Sequence, residues 1–147
     1  MSGSTIQPFG NPFTNTYGQT FVADAAVGLH LLDFTFFVTT AFSGTLFARG
    51  YVCEWTGPLQ GNGGRCSVIV FREASVVPIV GSNTGTLAKT VTLPAPLQLQ
   101  DGAAYCAFLS ITDPADSAQS TGTTTLLFAS SHFPPTDGNG GFVGYIW

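Results

Sequence analysis

The segment HLLDFTFFV (residues 30–38) shows most clearly how this chain folds. Apolar side chains recur at every second position from Leu32 to Val38, so they line one face of an extended backbone. The opposite face mixes the polar Asp33 and Thr35 with the apolar Phe37. A period of two, rather than 3.6, predicts a half-buried β-strand.

Similar runs rich in Thr, Val, Phe and Tyr continue in both directions, separated by clusters of Gly, Pro, Asn and Asp. They predict strands at residues 17–23, 30–38, 45–55, 67–73, 88–93 with a continuation near Leu97, 103–111, 123–130 and 141–147. Pro94 and Pro96 interrupt one run and predict an edge strand or a kink, and Gly50 predicts a bulge or a close crossing. We therefore predict an all-β fold, a two-sheet antiparallel β-sandwich of the jelly-roll type with about eight strands.

Charge is scarce along the whole chain. The 147 residues include 4 Lys and Arg and 8 Asp and Glu, which is 8% of the total against about 25% in an ordinary domain. The net charge of −4 provides no basic surface, so we expect no nucleic-acid partner. No apolar run approaches the roughly 20 residues of a membrane-spanning helix, so we expect no membrane partner. The chain has 13 Phe and few charges, so a monomer would expose an unusual amount of apolar surface. We therefore expect a closed homo-oligomer, specifically a homotrimer.

Residues 1–15 predict an extended N-terminal arm that precedes a single β-sandwich domain at 16–147. Pro8 and Pro12 exclude a helix there, and Ile6, Phe9 and Phe13 supply apolar side chains at intervals. We expect these three side chains to anchor the arm in pockets of a neighbouring subunit or of another protein.

The search for chemical motifs predicts no catalytic centre, no cofactor and no metal site. His30 and His132 are the only histidines, and neither has the spacing of a metal ligand pair. Nucleophile elbows and phosphate-binding loops are missing from the sequence. Asp113 and Asp116, with Asp137 in a glycine-rich loop, are weak calcium candidates, because Ca²⁺ requires about six to eight oxygen ligands.

The three cysteines are an odd number. The N-terminal MSGSTIQPFG lacks the basic and apolar regions of a secretory signal, which predicts reduced thiols in a cytosolic assembly environment. Cys53 and Cys106 lie in apolar strand runs and are expected to be buried and inert. Cys66 follows a turn and could approach Cys53 if the two strands form a hairpin, so that pairing stays open.

Aromatic side chains on a β-sandwich can form a platform on which sugar rings stack. The candidates by residue type are Tyr17, Tyr51, Trp55, Tyr145 and Trp147. The favoured interpretation is that they are core, edge or subunit-interface aromatics, because Trp55 and Trp147 end strands where a ring can close a core.

Four segments carry a resemblance to a known group of proteins: YGQTFVA (17–23), LLDFTFFV (31–38), YVCEWTG (51–57) and LQDGAAYCAFLS (99–110). They resemble the β-sandwich domain of bacterial exported proteins of the PEP-CTERM and choice-of-anchor type. The resemblance spans roughly residues 17–130 and implies the fold without implying a catalytic residue. Those proteins have a leader and a C-terminal anchor, and neither pattern occurs in this sequence, so we do not expect an anchored, exported role.

Compact, charge-poor jelly rolls recur in viral capsid proteins and in lectins. Our first hypothesis is a structural protein of a virus particle, a bacteriophage capsid decoration (cement) protein assembled in the host cytoplasm and bound to the major capsid protein on the virion surface. The alternative hypothesis is a carbohydrate-binding or host-adhesion module.

Overall fold

The computed structural model describes residues 5–10, 15–39, 42–59, 63–82, 85–121, 123–127 and 142–143, and at 5–10, 123–127 and 142–143 it describes the backbone path only. Within these ranges the regular secondary structure is almost entirely β-strand. The strands are β1 (Thr5–Gly10), β2 (Thr16–Val22), β3 (His30–Thr39), β4 (Thr45–Leu46), β5 (Arg49–Thr56), β6 (Arg65–Arg72), β7 (Ile79–Val80), β8 (Thr86–Gln98), β9 (Ala104–Ser110), β10 (Thr123–Leu127) and β11 (Phe142–Val143). One short helix, α1, spans Pro114–Gln119.

The strands form two main antiparallel sheets. One has four strands in the order β1-β10-β3-β8, and the other has five in the order β11-β2-β9-β5-β6. The short strands β4 and β7 pair with each other. Each of the eight predicted strands overlaps an observed strand, so the prediction of an all-β fold is confirmed.

A shared apolar core joins the two main sheets. Phe34 and Phe36 of β3 and Val91 of β8 are buried in the same cluster as Val52 of β5 and Leu109 of β9. The rings of Phe34 and Phe71 cross from one sheet to the other with their centroids 6.5 Å apart. Burial of each large apolar side chain contributes roughly 1.5–3 kcal/mol, so this cluster is the principal source of stability.

Gly50 marks a close approach between the sheets. A Cβ atom added to it would lie 2.6 Å from Val91 Cγ2 and 3.1 Å from Phe34 Cζ. Because a larger residue would collide with β8, glycine lets the backbone of β5 approach its neighbour. The predicted close crossing at this position is therefore confirmed.

The prolines of β8 lie on a sheet edge. Pro94 and Pro96 are part of β8, which is the last strand of the four-stranded sheet. Proline donates no hydrogen bond and is tolerated at an edge, as predicted. Lys89 on the same strand is 6% exposed and donates from Nζ to Glu73 Oε1 at 2.9 Å. Prolines and an inward-pointing charge are features that discourage pairing with another chain.

The helix α1 is not predicted by the sequence, because Asp113 and Pro114 belong to the Gly, Pro, Asn and Asp clusters that separate the predicted strands. Asp113 is the N-cap, and its carboxylate accepts a hydrogen bond from the backbone N–H of Ala115 at 3.1 Å. Pro114 occupies the start of the helix, where its missing N–H costs nothing. The same residues suit a turn and a helix start, so local chemistry alone did not distinguish them. In the described part of the chain, no helix has the length and apolar character needed to cross a membrane.

Part of the predicted N-terminal arm, residues 1–15, is paired with a strand of the same chain. Residues Thr5–Gly10 form β1, which pairs antiparallel with β10 of the same chain, with Ile6 opposite Leu126 and Phe9 opposite Thr124. The segment is extended, as expected, but it is an edge strand of the four-stranded sheet. Phe13 and the side chains of Ile6 and Phe9 lie outside the described residues, so the anchoring role of these three stays a prediction.

Candidate functional site: an outer groove on the five-stranded sheet

An open groove of about 360 Å³ lies on strands β5, β6 and β9, on the face that points away from the four-stranded sheet. We call it the outer groove. Its volume is at the lower end of the range that binds small ligands. Its apolar walls are formed by Tyr51, Val68, Ile69 and Phe108, and its polar walls by Cys66, Ser67, Ser110 and Thr112.

The strand register explains how the apolar walls form. Tyr51 of β5 is directly opposite Phe108 of β9, and their rings stack with centroids 4.9 Å apart and an angle of 8° between planes. The phenol of Tyr51 is hydrogen-bonded to the guanidinium of Arg72, its pairing partner on β6. Tyr51 is half-buried, so part of its ring remains accessible from the groove.

Val68 and Ile69 lie beside this pair on β6 and are 52% and 49% exposed. The strand is the last one of the five-stranded sheet, and among the residues that the structure describes no strand pairs with its other side. In contrast to β8, it contains no proline. The outer groove therefore opens onto a sheet edge whose middle is apolar and free of proline, with Arg65 and Arg72 at its two ends.

A chain of hydroxyl groups forms the polar end of the groove. Ser110 Oγ is 2.7 Å from Thr16 Oγ1 and 2.8 Å from Thr112 Oγ1, and it accepts from the backbone N–H of Thr112 at 3.1 Å. These hydroxyls are bonded to one another, and the described residues place no histidine in the groove wall. Activation of a serine requires an adjacent base, and the described wall of the groove provides no histidine for that role.

Two ion pairs hold α1 near this end of the groove. Arg49 forms a bidentate pair with Asp116, from Nε to Oδ2 at 2.7 Å and from Nη2 to Oδ1 at 2.8 Å. Hydrogen bonding to Asp116, together with its negative charge, raises the pKa of Arg49. Arg72 contacts Asp113, and this hydrogen bond holds the pKa of the Asp113 carboxyl below its ordinary value.

These pairs change the interpretation of the weak calcium candidates. The carboxylates of Asp113 and Asp116 are directed to arginines, and positive partners would repel a cation. Within the described ranges no group of three or more potential metal-ligating side chains occurs. Asp137 lies outside the described residues.

The cysteines are arranged differently from the expectation. Cys53 and Cys66 form a disulfide between β5 and β6, with their Cα atoms 5.7 Å apart. The prediction of reduced thiols is therefore wrong for this pair. The pairing of Cys53 with Cys66, which the sequence left open, is present in the structure. Cys106 is buried with a free thiol, as predicted, and burial raises its pKa to about 12.

Of the three proposed sugar-stacking residues that the structure describes, only Tyr51 lines the groove. Trp55 is 6% exposed and its indole N–H donates to the carbonyl of Pro58 at 2.9 Å, so it belongs to a small core and offers no open ring face. Tyr17 is buried between the sheets. Tyr145 and Trp147 lie outside the described residues, as does His132, whereas His30 is exposed at the start of β3.

The sequence analysis missed Phe108, Ser110 and Thr112 as groove residues. Phe108 and Ser110 belong to a nearly continuous apolar run, which is typical of a buried strand. Their alternation with Ala107 and Leu109 carries a period-two signal, but it does not reveal which neighbouring strand lies beside them.

No protein-family model, no curated protein and no solved structure matches this chain significantly.

Proposed function

We propose that this protein is a non-catalytic structural protein displayed on a virus particle, a capsid decoration protein that attaches to the shell through the edge of its five-stranded sheet. The observation that carries this proposal is the edge strand β6, where Val68 and Ile69 are about half exposed and no proline or inward-pointing charge blocks the approach of another chain. Burial of such side chains against a partner supplies the affinity.

The distribution of basic residues supports a mainly apolar contact. Two of the four basic side chains, Arg49 and Lys89, are buried in ion pairs, and a third, Arg72, is paired with Asp113. Few charges are left to steer association, so shape and apolar burial must dominate recognition.

The disulfide also supports a surface location. Disulfides persist on virion and cell surfaces and in extracellular proteins, and they are rare in the cytosol. Under this proposal the Cys53–Cys66 bond forms or persists on the exposed particle, after assembly.

The test compares a charged substitution on β6 with the same substitution at an exposed position outside β6. Ile69→Lys introduces a charge at the proposed contact, and Val77→Lys is the control because Val77 is 69% exposed in the segment after β6. Both proteins are mixed with particles that lack the wild-type copy and are separated on a density gradient. We expect Ile69→Lys to lose at least tenfold in occupancy and Val77→Lys to bind normally.

Two results would argue against the proposal: particles that never carry the wild-type protein, or an equal loss for both substitutions. Melting temperatures of the two variants confirm that each is folded before the comparison.

A second function, carbohydrate binding, is favoured by one specific observation. The half-buried ring of Tyr51, stacked on the buried Phe108, lies in the same groove wall as the exposed Thr112, which combines an aromatic surface with a hydroxyl group as a sugar ring requires.

This alternative is tested with a glycan array and with the variant Tyr51→Leu, which keeps an apolar side chain but removes the ring face. Carbohydrate binding predicts a defined set of glycans whose signal falls at least tenfold in the variant. An empty array, or a signal unchanged by the substitution, would exclude the groove as a sugar site.

A further inference from the structure

The three cysteines lie on three adjacent strands. The order β9-β5-β6 places Cys53 on the middle strand, Cys106 on one side and Cys66 on the other. All three side chains belong to one small apolar cluster on the outer face of the sheet, together with Trp55 and Phe108. This cluster is separate from the core between the sheets.

Cys53 is the only one of the three that can reach both of the others. It is paired directly with Cys106 in the β5–β9 register, and opposite residues of an antiparallel pair have Cα atoms about 4.5–5.5 Å apart. That separation lies within the roughly 4.4–6.8 Å found in disulfides. Cys66 and Cys106 are two strand spacings apart, roughly 9.5 Å, which is too far for a bond.

We propose that Cys53, Cys66 and Cys106 form a disulfide exchange set, in which transfer of the bond from Cys53–Cys66 to Cys53–Cys106 releases the Cys66 thiol into the outer groove as a site for covalent modification. The inference does not depend on what the groove binds.

The exchange balances without an oxidant. The Cys106 thiol loses its proton, and the thiolate attacks Cys53 Sγ in line with the Cys53–Cys66 bond. A new S–S bond forms as the old one breaks, and Cys66 Sγ leaves as a thiolate that takes up a proton from solvent. One disulfide and one thiol are present before and after the step.

The two end cysteines differ in how far reagents can reach them. Cys106 is 4% exposed, and its Sγ lies close to Gly18, where the missing side chain leaves room on the β2 side. A rotation about χ1 is needed to turn it toward Cys53. Cys66 is half-buried and lines the groove, so its released thiol is accessible to reagents.

Burial also controls how fast the exchange runs. The raised pKa of Cys106, about 12, keeps almost all of this thiol protonated at neutral pH. The attacking species is the thiolate, so the exchange is slow at pH 7 and accelerates as the pH rises.

Two matched variants test the geometry by counting free thiols after oxidative folding and denaturation. Cys66→Ala retains Cys53 and Cys106, and we expect no free thiol and a Cys53–Cys106 bond in the peptide map. Cys53→Ala retains Cys66 and Cys106, and we expect two free thiols. Two free thiols in Cys66→Ala, or a bond between Cys66 and Cys106 in Cys53→Ala, would overturn the proposal.

The wild-type protein provides a second measurement that does not depend on the folding of a variant. It is incubated with iodoacetamide from pH 7 to pH 10 without reductant, then digested in acid to stop further exchange. We expect the label on Cys66 to increase with pH, together with a Cys53–Cys106 bond. A label confined to Cys106 with the original bond intact, or no label at any pH, would contradict the exchange.

Cys106→Ala is the control for that measurement. It lacks the attacking thiol, so it must remain unlabelled over the same pH range.

Discussion

Gly50 shows how one residue sets the spacing between the sheets. We expect Gly50→Ala to destabilise the fold by about 1–3 kcal/mol, because the new methyl group overlaps both γ-carbons of Val91, the nearer at 2.6 Å. Val91→Ala alone is also expected to cost roughly 1–3 kcal/mol through the cavity that it leaves. In the double variant the two changes compensate, since the added methyl group occupies the space that Val91 vacated.

Urea unfolding of the two single variants and the double variant measures this coupling. The double variant should be more stable than the sum of the single effects predicts, by at least about 0.5 kcal/mol. Simple additivity would show that the sheets do not meet at this pair.

Cys106 gives the molecule a defined sensitivity to alkaline pH. Its pKa is raised from 9.0 to about 12 in the folded protein, so the thiol contributes stability that is fully present below pH 9 and is lost as the pH rises toward 12. By pH 10 we expect the free energy of unfolding to fall by about 1.4 kcal/mol, because each pH unit above 9 removes about 1.36 kcal/mol.

The measurement compares wild type with Cys106→Ala, which has no thiol to titrate at this position. The stability difference between the two proteins should change by that amount between pH 8 and pH 10, in favour of the variant. A difference independent of pH would mean that the thiol is not buried.

Among the elements, α1 depends most on a single contact. Its residue Asp116 is 3% exposed and neutralises Arg49, which is 8% exposed. Arg49 also donates from Nη1 to the carbonyls of Glu73 and Ala74, at 2.7 and 2.9 Å. One guanidinium therefore ties the helix to β5 and to the chain that follows β6.

Asp116→Ala would leave that guanidinium buried without its counter-charge, and we expect a loss of about 3–5 kcal/mol in the free energy of unfolding. Asp113→Asn is the matched control, because asparagine still caps the helix and the Arg49–Asp116 pair is kept, while the pair with Arg72 and a longer 4.0 Å contact with Arg49 Nε are removed. Its effect on the melting temperature should be much smaller. Equal effects of the two substitutions would show that Arg49 and Asp116 do not act as a buried pair.

At the scale of the whole molecule, the exposed apolar side chains and the scarcity of charge favour self-association. Val27, Leu32, Val77 and Val80 are each about half exposed or more, in addition to the β6 pair. We expect light scattering at micromolar concentration to show a homo-oligomer, with the mass of three 15.3 kDa chains as the specific expectation. A single species of 15.3 kDa would contradict it.

The sequence by itself determined most of the strands, though not β1 or β7, because a strand with one buried face leaves a period-two pattern in its own residues. Phe34, Phe36 and Val38 carry that pattern and are buried in β3, whereas Leu32, at a shift in the strand register, is exposed. Pro94 and Pro96 mark an edge because proline donates no hydrogen bond to a neighbouring strand. Both features are local, and both are confirmed.

Tertiary structure alone decided which strands are neighbours, and the candidate site depends on that choice. The register of β5 with β9 stacks Tyr51 on Phe108 and sets Cys53 opposite Cys106, while the register with β6 brings Cys66 close enough for a disulfide. Pairing between distant segments is determined by burial and hydrogen bonding of the whole sheet, and a shift of one residue would turn every side chain to the other face. For this reason neither the disulfide nor the groove could be located from residue order alone.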